Sequence, residues 1–191
     1  MSIVDVPTFD EVMVLTSTLA NEHSLQIPEC QAMYETLCEL PNGADVIEVG
    51  CDVGRSSSLI SQVAAARDFL TIHVDPWEWF PDRAKEFMGN LSEQCPWHRF
   101  IVLHMTTEQA WKYIRRLTPG GVDFAFIDGA HDTPTVELDL EIVATRVQPG
   151  GFLLAHDYPS GGVTEAIDPF IARGGWVKYK QAMGLGIWRK E

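Results

Sequence analysis

Five short apolar runs in this chain each stop at a small or polar residue suited to binding or chemistry, and a helical pattern follows each. Val46-Ile47 leads through Glu48 and Val49 to Gly50 and Asp52. Phe69 to Val74 ends at Asp75, Phe100 to Leu103 precedes Met105 and Thr106, Val122 to Ile127 ends at Asp128, and Phe152 to Ala155 ends at His156 and Asp157. Strands alternating with helices build a parallel sheet covered on both faces. All carboxyl ends of such strands lie along one edge, and the ligand crevice opens there at the topological switch point. Residues a hundred positions apart are therefore expected to face one crevice.

The first of these turns, in ADVIEVGCDVGRSSS (residues 44–58), has the spacing G-x-D-x-G at Gly50, Asp52 and Gly54. Glycines at a strand-to-helix turn let the backbone curl tightly and let a ligand approach main-chain N–H groups. A nucleotide-like cofactor is the usual ligand of such a turn, and a plain tight βα turn is the other reading.

Helices are expected over Phe9 to Asn21, from Ile27-Pro28 to about Leu40, and over Ser57 to Ala66, Pro81 to Leu91, Thr106 to Leu117, Thr133 to Val147 and Val163 to Ala172. Pro28 suits a first helical turn, and Thr106 with Gln109 reads as a capping box. On the helix from Thr133, Glu137, Asp139 and Glu141 read as the solvated side, with Leu138, Leu140, Ile142 and Val143 packed. Trp176 to Lys180 and Gly186 to Arg189 read as an antiparallel hairpin. With no dividing linker, residues 1–191 form one domain: a helical segment over about 1–43 and a cofactor-binding core over 44–191. The first two helices can cover the sheet, form a dimer surface or shape a substrate lid.

A composition of 46% hydrophobic and 21% charged residues is that of a folded domain. The net charge of -13 opposes binding to nucleic acid and to anionic membranes. The densest basic stretch, Lys112, Arg115 and Arg116, reads as a solvated helix face. Cys30, Cys38, Cys51 and Cys95 lack CxxC spacing and read as reduced thiols, and the first residues resemble neither a signal peptide nor a membrane span. A cytoplasmic protein is expected.

Asp75 lies about 20 residues beyond the glycine turn, where an acid accepts the ribose hydroxyls of a nucleotide; a turn acid is the alternative. Glu48 sits within a strand and needs a partner, which a cofactor ammonium or backbone N–H groups can supply; an outward-facing edge position is the alternative. Asp128 and Asp157 end neighbouring strands and can share Mg²⁺, with His156 or a substrate oxygen completing the shell; hydrogen bonding to loop N–H groups is the other possibility. His131 is a candidate proton acceptor or a helix cap. Trp77, Trp79 and Phe80 read either as a wall for an adenine ring or as core anchors.

Taken together, VIEVGCDVGRSS, HVDPW, FIDGAHDTPTVELDLEIVATRVQPGGFLLAHDY and GVTEAIDPF resemble a class I S-adenosylmethionine-dependent methyltransferase from about Ile27 onward. The long third element is similar to sugar and macrolide O-methyltransferases and to cephalosporin-hydroxylase-like proteins. The resemblance implies a Rossmann-like α/β/α sandwich whose seven-stranded, mostly parallel sheet has the order 3-2-1-4-5-7-6 and ends in an antiparallel hairpin. It implies S-adenosylmethionine as cofactor, with Gly50, Asp52, Gly54 and Ser56 at its methionine end and Glu48 near its amino group. Asp75 and Pro76 would lie at the ribose, and Met105 and Thr106 at the adenine. Asp128 would touch the cofactor, with Asp128, His156 and Asp157 at a Mg²⁺ site and Asp128 or His131 taking a proton. His156 stands where relatives often carry another acid, and Thr133-Pro134 replaces a Ser-Tyr-like pair. The implied acceptor is a small-molecule hydroxyl on a sugar, polyketide or catechol-like ring, and a homodimer is compatible with the pattern. A nicotinamide-dependent oxidoreductase is an alternative, opposed by the missing third glycine of G-x-G-x-x-G. A non-catalytic cofactor-binding protein of the same fold is another.

Overall fold

The computed structural model describes residues 5–21, 24–96 and 98–191. Strands β1 (Asp45–Val49), β2 (Leu70–Val74), β3 (Phe100–Leu103), β4 (Val122–Ile127), β5 (Val147–Ala155), β6 (Trp176–Ala182) and β7 (Leu185–Lys190) form one sheet in the order β3-β2-β1-β4-β5-β7-β6. The first five run parallel, and β7 lies antiparallel between β5 and β6. This is the expected order. The switch point falls between β1 and β4, because β2 and β3 extend the sheet to one side of them and β5 to the other.

The helices are α1 (Phe9–Thr16), α2 (Ile27–Glu39), α3 (Arg55–Arg67), α4 (Pro81–Gln94), α5 (Thr107–Leu117), α6 (Thr133–Ile142) and α7 (Gly161–Ala172). Period-two alternation along the strands divides the core. Ile47, Val49, Ile72 and Val74 pack against Ile114 of α5, Leu140 of α6 and Ile167 of α7. Val46, Phe124, Phe126 and Leu154 pack on the other face against Val12 of α1, Met33 of α2 and Ile60 of α3. The first two helices thus cover the sheet.

Two local expectations change. The helix from Thr133 ends at Ile142 and gives way to a 3₁₀ turn over Ala144–Arg146. Val147 then already pairs with Val122, and β5 passes a register shift before Phe152 pairs with Phe124. The second change is the rotation of α6. Asp139 is 3% exposed whereas Leu138 is 40% exposed, so the acid shares the buried face with Val136 and Leu140. All four cysteines are free. Among the described residues, no helix is long and apolar enough to cross a membrane.

Candidate active site at the carboxyl ends of the strands

The carboxyl ends of β1, β2, β4 and β5 and the loop after β3 open into one cavity of about 820 Å³, within the range of small-molecule and cofactor sites. Gly50 is the pivot. Its N–H donates to Val74 O at 2.9 Å, and the Asp128 N–H donates to Val49 O at 2.8 Å, which knits the loops after β1, β2 and β4. Gly50 has φ of +84°, and a Cβ there would stand 2.1 Å from the Asp128 carbonyl oxygen. Only glycine fits this crossing.

Asp75 staples two of these loops. Its Oδ2 accepts from the N–H groups of Cys51 at 2.7 Å and Asp52 at 3.2 Å, and its Oδ1 accepts from Trp77 N–H at 2.7 Å. Burial raises its pKa, and these bonds offset only part of that. The Trp77 Nε1–H donates to Asp52 O at 2.9 Å, and its ring packs 5.1 Å from Phe87. Trp77 is therefore a core anchor, while Trp79 and Phe80 are 80% and 57% exposed at the cavity mouth. The Asp52 carboxylate is held by Asn21 Nδ2 at 2.9 Å and by the Arg83 guanidinium. Thr106 caps α5 in the expected reciprocal box with Gln109.

Gly50, Asp52, Ser56, Asp75, Pro76, Thr106 and Asp128 line the cavity, whereas Glu48, Gly54 and Met105 do not. Gly54 begins α3 with φ of +96° against the Phe87 ring. Met105 packs on the core. Glu48 points to the α3 side of the sheet, fully buried. It accepts from Ser56 Oγ and Ser57 Oγ at 2.5 Å each and meets His73 Nδ1 at 2.7 Å. The partner that its burial demanded is thus internal to the protein. The Ser56 hydroxyl is spent on the same carboxylate.

Across the cavity, the ends of β4 and β5 bring together Asp128, His131, His156 and Asp157. Ligand atoms of Asp128, His131 and Asp157 lie within 4.8 Å of one another. His131 Nε2 is 2.9 Å from Asp157 Oδ2. His156 has a different environment from the one expected. Its Nδ1 lies 3.0 Å from Asp128 Oδ1 and 3.4 Å from Asp157 Oδ2, and its Nε2 lies 3.5 Å from Glu29 Oε2. Burial pulls the ring's pKa down, but hydrogen bonds to Asp128 and Glu29 and the charges of Asp128 and Asp157 outweigh it and push it up to about 10. An imidazolium facing three carboxylates offers no lone pair, and the grouping here that could hold a cation is Asp128, His131 and Asp157.

Three cavity residues escape the sequence reading. Glu29 reaches the site from α2, where Gln26 N–H donates to its Oε2 at 2.6 Å and Gly184 N–H to its Oε1 at 2.8 Å. Its signal was the Gln-x-x-Glu spacing of a helix start. Asp139 lies beside Thr107 and Gly129; burial pushes its pKa up to about 6. Its signal was helical phase, since it shares the face of Val136 and Leu140. Arg55, the first residue of α3, carried no such signal.

A methyltransferase-domain family model matches residues 47–158, more than half of the chain. The chain belongs to this family. Among solved structures, the methyltransferase domain is similar to the O-methyltransferase NovP, with 13% identity, 94% of this chain and 96% of that chain covered, and a TM-score of 0.74. It is also similar to an O-methyltransferase from Bacillus cereus in complex with SAH, with 15% identity, coverage of 98% and 94%, and a TM-score of 0.65. A third is the MycE methyltransferase of the mycinamycin biosynthetic pathway in complex with Mg, SAH and mycinamycin VI, with 14% identity, coverage of 96% and 54%, and a TM-score of 0.66. At these identities the likeness is one of fold, that of the class I methyltransferases. No curated protein sequence matches the methyltransferase domain.

Proposed function

We propose that this methyltransferase domain binds S-adenosylmethionine and methylates a hydroxyl oxygen of a small molecule, with Mg²⁺ at Asp128 and Asp157. The observation that carries the reading is the division of one cavity into two halves. The Gly50, Asp75 and Thr106 side offers a carboxylate acceptor beside a glycine turn, as a nucleoside would need, and the Asp128, His131 and Asp157 side gathers groups that handle a proton and a cation.

The residues present fit both groups. An ionised carboxylate has about four acceptor positions, and Asp75 spends three on backbone N–H groups, which leaves capacity for a ribose hydroxyl. Glu29, Asp52, Asp75, Asp128, Asp139 and Asp157 on the wall, against Arg55 and Arg83, suit a ligand carrying a sulfonium and an ammonium better than a dinucleotide pyrophosphate. Asp128 and Asp157 are the hard oxygen donors that Mg²⁺ takes while keeping several waters. When bound, the cofactor supplies an electrophilic methyl carbon and the cation lowers the pKa of the acceptor hydroxyl.

The protein's own part is to orient the acceptor and move its proton. His131 is 64% exposed and faces the cavity. In the tautomer that donates Nε2–H to Asp157, its Nδ1 presents a lone pair to the acceptor hydroxyl, and Asp157 stabilises the imidazolium that results. His156 fixes the Asp128 carboxylate from behind, and Glu29 holds the far side of the His156 ring. The test is calorimetry with S-adenosylhomocysteine and with NAD, followed by methyl-transfer assays on sugar, polyketide and catechol hydroxyls. Binding of S-adenosylhomocysteine with oxygen methylation supports the reading; binding of NAD alone sinks it.

A further inference from the structure

His131 is 64% exposed, and among the described residues its ring has one polar partner, Asp157 Oδ2 at 2.9 Å. A side chain so lightly held is placed by its backbone. That backbone lies between the end of β4, fixed by the Asp128 N–H on Val49 O, and Asp132, whose Oδ1 caps α6 by accepting from Thr135 N–H at 3.2 Å. Behind it stands Gly162, in the first turn of α7. A Cβ on Gly162 would stand 2.5 Å from His131 O, 2.8 Å from Thr133 N and 3.0 Å from Thr133 Oγ1. Its φ is not left-handed, so the backbone does not require glycine, and alanine is the better helix former. Contact with the His131 loop is what excludes a side chain. The Thr133 hydroxyl adds a tie, donating to Glu165 Oε2 at 2.9 Å, about one turn further along α7.

We infer that Gly162 is a positioning residue for His131, holding the loop after β4 where the imidazole meets Asp157 and the cavity. This rests on the reading of His131 as proton acceptor and adds to it an element outside the cavity wall. Gly162 does not line the cavity, so it acts through His131 and not on a ligand. Of the two surfaces in contact, α7 is the firmer. Val163, Ala166 and Ile167 bury its inner face beside Val136 and Leu140 of α6. The loop is the softer, since His131 and Asp132 are exposed. A methyl group at position 162 is therefore accommodated by movement of the loop, because a close-packed core yields little. A displacement on the order of 1 Å at a proton acceptor is enough to cost about a hundredfold in rate.

The experiment reads the His131 tautomer by NMR of protein labelled with ¹⁵N-histidine, in metal-free buffer at about pH 9, where an ordinary histidine is neutral. The His131 signal is assigned with His131→Gln. In the wild type the Asp157 contact is expected to hold the proton on Nε2. Gly162→Ala is expected to give a mixture of both tautomers. It should also lower kcat by about tenfold to about a hundredfold on any hydroxyl acceptor that the wild type methylates, with KM for S-adenosylmethionine unchanged. Gly89→Ala is the control, a glycine within α4 whose added Cβ meets nothing within 4 Å. The buried His73 reports the fold in the same spectra through its Nδ1 contact with Glu48. Glu165→Ala loosens the loop without a collision and should shift the tautomers part-way. Glu165→Gln should restore the wild-type signal, because it keeps an acceptor for the Thr133 hydroxyl. An unmoved His131 signal in Gly162→Ala overturns the assignment and leaves the proton-acceptor reading standing. Where Gly162→Ala disturbs the His73 signal too, the Glu165 pair decides, and a signal unmoved in Glu165→Ala overturns the assignment. A wild-type His131 without a fixed tautomer overturns it as well. Shifted tautomers with undiminished kcat sink the proton-acceptor reading and leave the positioning intact.

Discussion

Glu48 and His73 stand opposite each other on neighbouring parallel strands, with Glu48 Oε2 2.7 Å from His73 Nδ1 and both side chains shielded from solvent. The chain of contacts runs on from His73 Nε2 to Thr71 Oγ1 at 3.1 Å and from Thr71 Oγ1 to His98 Nε2 at 2.8 Å. This polar thread crosses the sheet behind the cavity and holds the glycine turn from below. Glu48→Ala strands two serine hydroxyls and an imidazole, so urea unfolding should show a loss of about 3–5 kcal/mol. A loss below about 1 kcal/mol would mean that the carboxylate has no structural role.

His98 ends that thread and makes stability depend on acid. Burial, then the neighbouring His73 and Arg99 charges, press its pKa down to about 4. The unfolded chain binds a proton near the ordinary histidine pKa of about 6.5, and the folded chain does so only near 4. Stability is therefore lost as pH falls from about 6.5 to about 4, by about 3 kcal/mol in total. Asp139 titrates in an overlapping window with the opposite sign, so the readout is a difference. Denaturation curves of the wild type and His98→Gln should converge with falling pH. Parallel curves would refute the assignment.

Asp139 is buried with its pKa pushed up to about 6, so the fold prefers its neutral form. The cost of ionising it grows as pH rises from about 4 to about 6 and is fully present above that. Asp139→Asn removes the cost and should raise stability at pH 8 by about 2 kcal/mol, with little gain at pH 4. Thermal melts at the two pH values decide it; a variant less stable at pH 8 would contradict this account.

Gly50 and Gly43 both have positive φ, and they separate strain from collision. A Cβ at Gly43 meets nothing within 4 Å, whereas one at Gly50 collides with the Asp128 backbone. Gly43→Ala should cost about 1 kcal/mol, the backbone penalty alone. Gly50→Ala should cost about 3 kcal/mol or more, because β1 and β4 must separate at the switch point. Similar costs in denaturant unfolding would rule out the collision.

On the proposed function, Asp157→Ala should abolish metal-stimulated methyl transfer and leave the affinity for S-adenosylhomocysteine nearly unchanged, because Asp157 would hold the cation and not the cofactor. Chelation of the wild-type protein should have the same effect, reversed by added Mg²⁺. Full turnover in EDTA would remove the cation from the mechanism.

Strand ends were legible because they follow from local pattern, an apolar run, a polar stop and a helix, whereas the strand order was implied by the family resemblance. The capping box at Thr106 was legible for the same reason, its two partners being three residues apart. What the sequence hid is contact between distant elements. Glu29 meets Gly184 across 155 residues and His156 from the opposite side of the sheet edge, and no spacing rule connects them. That contact puts carboxylates on both sides of the His156 ring, an environment its place before Asp157 did not reveal. Asp139 was hidden for another reason. Charge argued for solvent and helical phase argued for the core, and phase prevailed because the α6 face that carries Val136 and Leu140 must pack. Glu48 was recognised as a carboxylate in need of a partner, but the partner was three side chains rather than a ligand.

The final strand of the sequence is an inner strand of the sheet, seated between β5 and β6. Assembly therefore cannot proceed simply from the first strand outward. Until β7 inserts, β5 has an open edge, and Glu29 waits for the Gly184 N–H that fixes it beside His156. The Glu29–Gly184 contact spans 155 residues, and contacts of such separation are slow to close. The Glu29–His156 contact beside Asp128 is thus completed by the same event that closes the sheet, so a chain stalled before that step would hold the loops after β1 and β2 without it.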